Sequence, residues 1–148
     1  MSTPTLVLLA VTTLMSCVAL GGAIYEAVVV DPYWPGRPGI IQPRNGGIAR
    51  VRFWLPAPLA FEVLLVVTLV LTWGDTRVGT ALLVAVLSHA TMRLWSVFDL
   101  IPKGAEFERK DPADIDQAAA VRWTRKSLLR LPLLLLTSAA MLTALALA

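Results

Sequence analysis

Four apolar blocks, each near the length an α-helix needs to cross a hydrocarbon layer, leave this chain few folds to choose from. They fall at about residues 6–30, 53–73, 78–100 and 128–147 of 148. The expected fold is all-α, one domain over 1–148: a four-helix transmembrane bundle with a long Pro/Gly-rich loop between helices 1 and 2. The first block carries no charge until Glu26, is too long for a cleaved signal peptide and lacks its basic start. Composition agrees, because 57% of residues are apolar and only 16% charged. Soluble domains run at about 45–50% and about 25%. That balance excludes a disordered chain, a nucleic-acid tail and a typical soluble enzyme, and no nucleic-acid partner is expected. No internal repeat supports a transporter built from tandem halves.

One cysteine, Cys17, excludes an intramolecular disulfide framework, a four-cysteine zinc site and a CxxC redox motif. One histidine, His89, excludes a bis-histidine haem within one chain.

The connections differ sharply. The first, "DPYWPGRPGIIQPRNGGIARVR", carries four prolines and four glycines, which disfavour regular helix or strand. Tyr33, Trp34, Ile40 and Ile41 make it sticky, and it is expected to fold back as a lid. The second, "GDTR", is a tight turn, and the third is polar from about Ile101 to Lys126. Asp111 and Pro112 predict that the last helix starts near residue 112, before it enters lipid, and Pro132 predicts a kink.

Lysine and arginine crowd the first and third connections and are missing from both termini. The positive-inside rule then puts the long connections in the cytoplasm and the termini outside. Tyr25, Tyr33, Trp34, Trp54, Trp95 and Trp123 fall at the cytoplasmic interface, where an aromatic belt is expected.

Four ionisable residues lie inside the blocks: Glu26, Glu62, His89 and Arg93. At about 1.5 Å per residue they sit roughly 6, 12, 16 and 10 Å from the cytoplasmic ends of their helices. His89 and Arg93 are four apart, on one helix face. Intramembrane charges are costly and point to function or to mutual pairing. Three arrangements fit. Glu62 and Arg93 form a buried ion pair with His89 hydrogen-bonded beside it. Alternatively His89, Glu62 and Arg93 are catalytic residues of a pocket, with His89 as general base or acid and Arg93 holding an anion. In the third, Glu26, Glu62 and His89 ligate a metal, although no ExxH spacing marks such a site. The sequence specifies no cofactor. Glu26, Tyr25, Trp34, Trp123 and Arg130 are the candidate substrate contacts. Arg122, Lys126 and Arg130 form a basic stripe that either snorkels to lipid phosphates or turns Arg130 inward to close the pocket.

The order "GGAIYEAVVVDPYW", proline-rich loop, "RWTRKSLLR" resembles the anthrone oxygenase-like family of small four-helix membrane proteins. Trp123 and Arg130 match the opening of that family's last helix, while Ser127 stands where an asparagine is commoner. The resemblance implies an oxidoreductase that oxygenates a lipophilic phenolic substrate without a dedicated cofactor, by making a carbanion that reacts with oxygen. The other readings are a small multidrug transporter and a non-catalytic accessory subunit. The expected partners are the lipid bilayer, a lipophilic small molecule, and a homo-oligomer or larger membrane complex. The strong charge bias and the long first loop count against the transporter.

Overall fold

The computed structural model describes residues 1–148 as four long helices with no strands. They are α1 (Thr3–Val30), α2 (Val51–Leu71), α3 (Thr76–Arg109) and α4 (Gln117–Leu147), all long and apolar enough to cross a membrane. Their starts follow from capping chemistry. The Ser2 hydroxyl accepts from the Thr5 amide ahead of α1, with Pro4 in the first turn. Asp75 accepts from the Arg77 and Val78 amides at the head of α3, and Asp116 from the Ala118 amide at the head of α4.

Two sequence-based boundaries need correction. α3 does not end near Leu100 but runs on to Arg109, and α4 begins at Gln117 rather than near Pro112. Asp111 caps only the single 3-10 turn Pro112–Asp114. Ile115 is then extended and packs against buried apolar residues, so Asp116 becomes the effective cap.

All four helices depart from regular α geometry toward one end, each shortly before a proline. α1 widens into a π turn at Glu26–Val30 ahead of Pro32. α2 is interrupted at Leu55 ahead of Pro56. α3 widens at Ser96–Leu100 ahead of Pro102, and α4 breaks at Leu129 ahead of Pro132. A proline lacks the amide that would bond the carbonyl four residues earlier, and its ring crowds that carbonyl. A wide or broken turn relieves the crowding and lets the helix continue.

The helices run alternately up and down, so both long connections lie at one end. α4 packs between α1 and α3, while α2 leans on α1 and touches α3 only lightly. Small hydroxyl residues stitch the seams: Thr12 to Thr68 at 2.9 Å, Ser88 to Thr137 at 2.7 Å, and the Ser138 hydroxyl donating to the Ser16 carbonyl at 3.3 Å. Such residues allow close helix approach where packing, not water exclusion, drives association. The outer faces are apolar instead. Leu14, Val63, Val70, Leu87, Phe98 and Leu135 are each more than half exposed.

One core, around Leu9, Phe61, Leu82 and Met141, fills the end that carries the chain termini. A second, around Trp34, Ile41, Leu100, Phe107 and Trp123, lies beneath the first connection. That connection is a string of 3-10 turns pinned to the end of α3. The buried Gln42 amide donates to the Phe107 and Lys110 carbonyls at 2.8 and 2.9 Å. Gly46 turns the chain at φ +79°, and a Cβ on Gly47 would strike the Gly39 and Ile40 carbonyls.

Candidate active site

A cavity of about 310 Å³ lies between the two cores, toward the end with the long connections. Its walls are largely apolar, with Ala19, Leu55, Pro58, Met92 and Leu134 among them. Charged side chains from α1, α3, α4 and the first connection line it; Glu62 of α2 does not line it but reaches His89 and Arg93, which do.

Glu62, His89 and Arg93 converge. Glu62 Oε1 lies 3.2 Å from His89 Nε2 and 2.5 Å from Arg93 Nε. The pairing bridges α2 and α3, which otherwise touch only lightly. A carboxylate only accepts, so Nε2 donates, and in the neutral imidazole the other ring nitrogen carries the lone pair. Nδ1 is buried and has no hydrogen-bond partner. Phe61 packs edge-on against the imidazole at 4.9 Å and holds its plane.

Glu26 belongs to a different group. Arg50, from the first connection, donates Nη1 to Glu26 Oε1 at 2.9 Å and Nη2 and Nε to Glu108 Oε1 at 2.8 and 3.1 Å. Its guanidinium lies 5.6 Å from the centre of the Trp123 ring, whose indole donates to the Leu100 carbonyl at 3.1 Å. The metal set Glu26, Glu62 and His89 is therefore corrected: Glu26 is taken by Arg50, and Glu62 by His89 and Arg93. No three His, Cys, Asp or Glu side chains gather closely enough to hold a metal.

Arg130 turns into the cavity. It donates Nε to the Ser127 carbonyl at 3.3 Å and Nη2 to the Ser127 hydroxyl at 2.5 Å, and lies 5.6 Å from the centre of the Trp54 ring. Of the other members of the basic stripe, Lys126 pairs with Asp99, and Arg122 lies at the surface near Asp116 at 3.7 Å.

Two aromatic candidates do not line the cavity. Tyr25 points outward and is 57% exposed. Trp34 is fully buried in the core beneath the loop, packed on Phe107 and Trp123. Its indole donates to Asp31 at 3.1 Å. Burial and the nearby Glu26 charge raise the Asp31 carboxyl to about 6, partly offset by the indole and by Arg50 and Arg130. Trp123 does line the cavity.

Arg50, Glu108 and Trp54 are the site residues that sequence reasoning missed. In the sequence Arg50 and Trp54 speak only to topology and the aromatic belt, and Glu108 falls in a stretch expected to be loop. No family model, curated protein or solved structure matches this chain.

Proposed function

We propose that this chain is a multi-pass membrane protein with its long connections cytoplasmic and its termini outside. We further propose that the cavity is the active site of a small enzyme acting on a lipophilic, phenolic or polyketide-like substrate. The outward apolar faces and the basic residues gathered at one end support the membrane placement.

The observation that carries the enzymatic reading is the His89 imidazole. Glu62 orients it, its Nδ1 is unpartnered, and it lines a cavity whose walls are largely apolar. An imidazole whose second nitrogen is held by a carboxylate is the usual form of a positioned general base. In the oxygenase chemistry that the family resemblance implies, Nδ1 takes a proton from an activated methylene of the substrate. The carbanion adds dioxygen, the proton returns to give a hydroperoxide, and loss of water leaves a ketone. In sum, one methylene and one dioxygen give one ketone carbonyl and one water. Arg93 pairs with the same Glu62 oxygen and supplies a counter-charge to the carboxylate that holds the imidazole.

The test uses the protein in lipid nanodiscs with anthrone, following oxygen uptake and anthraquinone formation against protein-free nanodiscs. His89→Gln keeps a hydrogen bond to Glu62 and removes the base, and such removals lower rates about 10²–10⁴-fold. The expected result is a folded variant that has lost turnover. Turnover no faster than in protein-free nanodiscs, or full turnover by folded His89→Gln, contradicts the proposal.

A further inference from the structure

Three arginines face the cavity, and they are not equivalent. Arg50 is held by two carboxylates and Arg93 by one. Arg130 has no carboxylate within ion-pair distance, and its hydrogen bonds go to a single neighbour, Ser127. The nearest acidic groups act on it only through space and are otherwise engaged: Glu26 with Arg50, Asp31 with the Trp34 indole. A cation without a partner inside an apolar bundle is expensive.

From this we infer that Arg130 is the anchor for a carboxylate on the substrate, so that the cavity takes a lipophilic carboxylic acid. The inference rests on reading the cavity as the substrate site. Three features define the ligand. Trp54 covers a face of the guanidinium, so an anion approaches along its edge. A planar fork meeting two coplanar oxygens favours carboxylate, with two parallel charge-assisted hydrogen bonds. The three cavity arginines already face three carboxylates, Glu26, Glu62 and Glu108, so the one cation without a direct partner favours a singly charged ligand over a phosphate dianion.

The apolar walls then take the rest of the molecule. At about 310 Å³ the cavity is at the low end of small-molecule sites, room for one chain or a fused ring system but not for a two-chain phospholipid. Anchored at Arg130 on α4, the ligand lies along Pro58, Met92 and Leu134, in the cavity that His89 also lines.

The test compares decanoate with methyl decanoate, each carrying a ¹³C carboxyl label, binding to the intact protein in phosphatidylcholine nanodiscs. Affinities are referred to the concentration of each ligand in the bilayer. Hydrogen bonds to a charged group favour the acid, and an acid-to-ester preference of about tenfold or more is expected. Arg130→Gln is expected to bring the ratio close to one by weakening the acid far more than the ester, and the ester binding that is retained shows that the variant is folded. Arg130→Lys keeps the charge without the fork and is expected to fall between. Equal binding of acid and ester by the unchanged protein, or an undiminished ratio in Arg130→Gln, overturns the carboxylate assignment alone. Displacement of decanoate by phosphatidic acid but not by phosphatidylcholine overturns it in favour of a lipid headgroup. Binding of neither decanoate nor its ester overturns this assignment and the cavity's role as a lipophilic site together.

Discussion

Arg50 joins the first connection to α1 and α3, and replacing it by methionine tests how the cavity is held. Its side chain is 10% exposed, that of Glu26 is 9% and that of Glu108 is 30%. Arg50→Met keeps the stem's packing and strands two carboxylates of unequal burial. Removing one member of a buried pair typically costs about 3–5 kcal/mol. The Glu108 bond is partly solvated, where ion pairs are typically worth about 0–1 kcal/mol. Most of the loss should therefore come from Glu26, and Arg50→Met should cost about 3–6 kcal/mol. Adding Glu26→Gln should recover most of it, because the buried carboxylate that Arg50 had paired is then neutral. Glu108→Gln alone should cost less than about 1 kcal/mol. The assay is equilibrium unfolding in mixed micelles with increasing dodecyl sulfate, followed by tryptophan fluorescence. Additivity of Arg50→Met and Glu26→Gln within about 0.5 kcal/mol would refute the reasoning. So would a Glu108→Gln penalty as large as that of Glu26→Gln.

At the other charged cluster, Arg93→Ala should destabilise more than the combined Glu62→Gln and Arg93→Gln changes, and a double-mutant cycle that comes out additive would separate the two residues. Asp31→Asn should stabilise the protein at pH 8 by about 2–3 kcal/mol while keeping the acceptor for Trp34. The sign follows from the raised carboxyl: the folded state holds a proton up to about 6 and the unfolded chain only to 3.8, so stability falls as pH rises through that window. The gap between variant and parent should shrink from pH 7 to pH 5 and close near pH 4, and a gap constant with pH contradicts it. For topology, cysteines placed at Asn45 and Gly74 in a Cys17→Ala background should label from the cytoplasm and from outside respectively; Gly74 sits in open space, so its replacement disturbs nothing. Labelling of the Asn45 site from outside inverts the assignment.

The helices were legible because lipid-length apolar blocks admit little else, and α3 and α4 kept their central spans despite their shifted ends. The Glu62, His89 and Arg93 cluster was legible too. Four-residue spacing puts His89 and Arg93 on one face, and Glu62 lies at a matching depth on the neighbouring helix. Arg50 was not, since its partners lie 24 and 58 residues away and only the folded connection brings them together. Tyr25 and Trp34 show the limit of reasoning from an aromatic belt. Both stand at the same helix end, yet one faces outward and the other is sealed beneath the loop. The π turns add to the difficulty, because each shifts the facing of every residue after it relative to a uniform α count. The prolines at 32, 56 and 102 carried a signal for these irregular turns, as Pro132 did for α4.

The imidazole at the centre of the account can be observed directly, because His89 is the only histidine in the chain. Uniform ¹⁵N-histidine labelling in nanodiscs gives one pair of ring nitrogens with no overlap. The account predicts one protonated nitrogen, assigned to Nε2, and one bare nitrogen, Nδ1, at neutral pH. The Nε2 signal should shift when Glu62 is changed to glutamine, and the Nδ1 signal should shift when a lipophilic ligand enters the cavity. A proton on Nδ1 instead, or an Nε2 signal indifferent to Glu62, would contradict the arrangement on which the proposed chemistry depends.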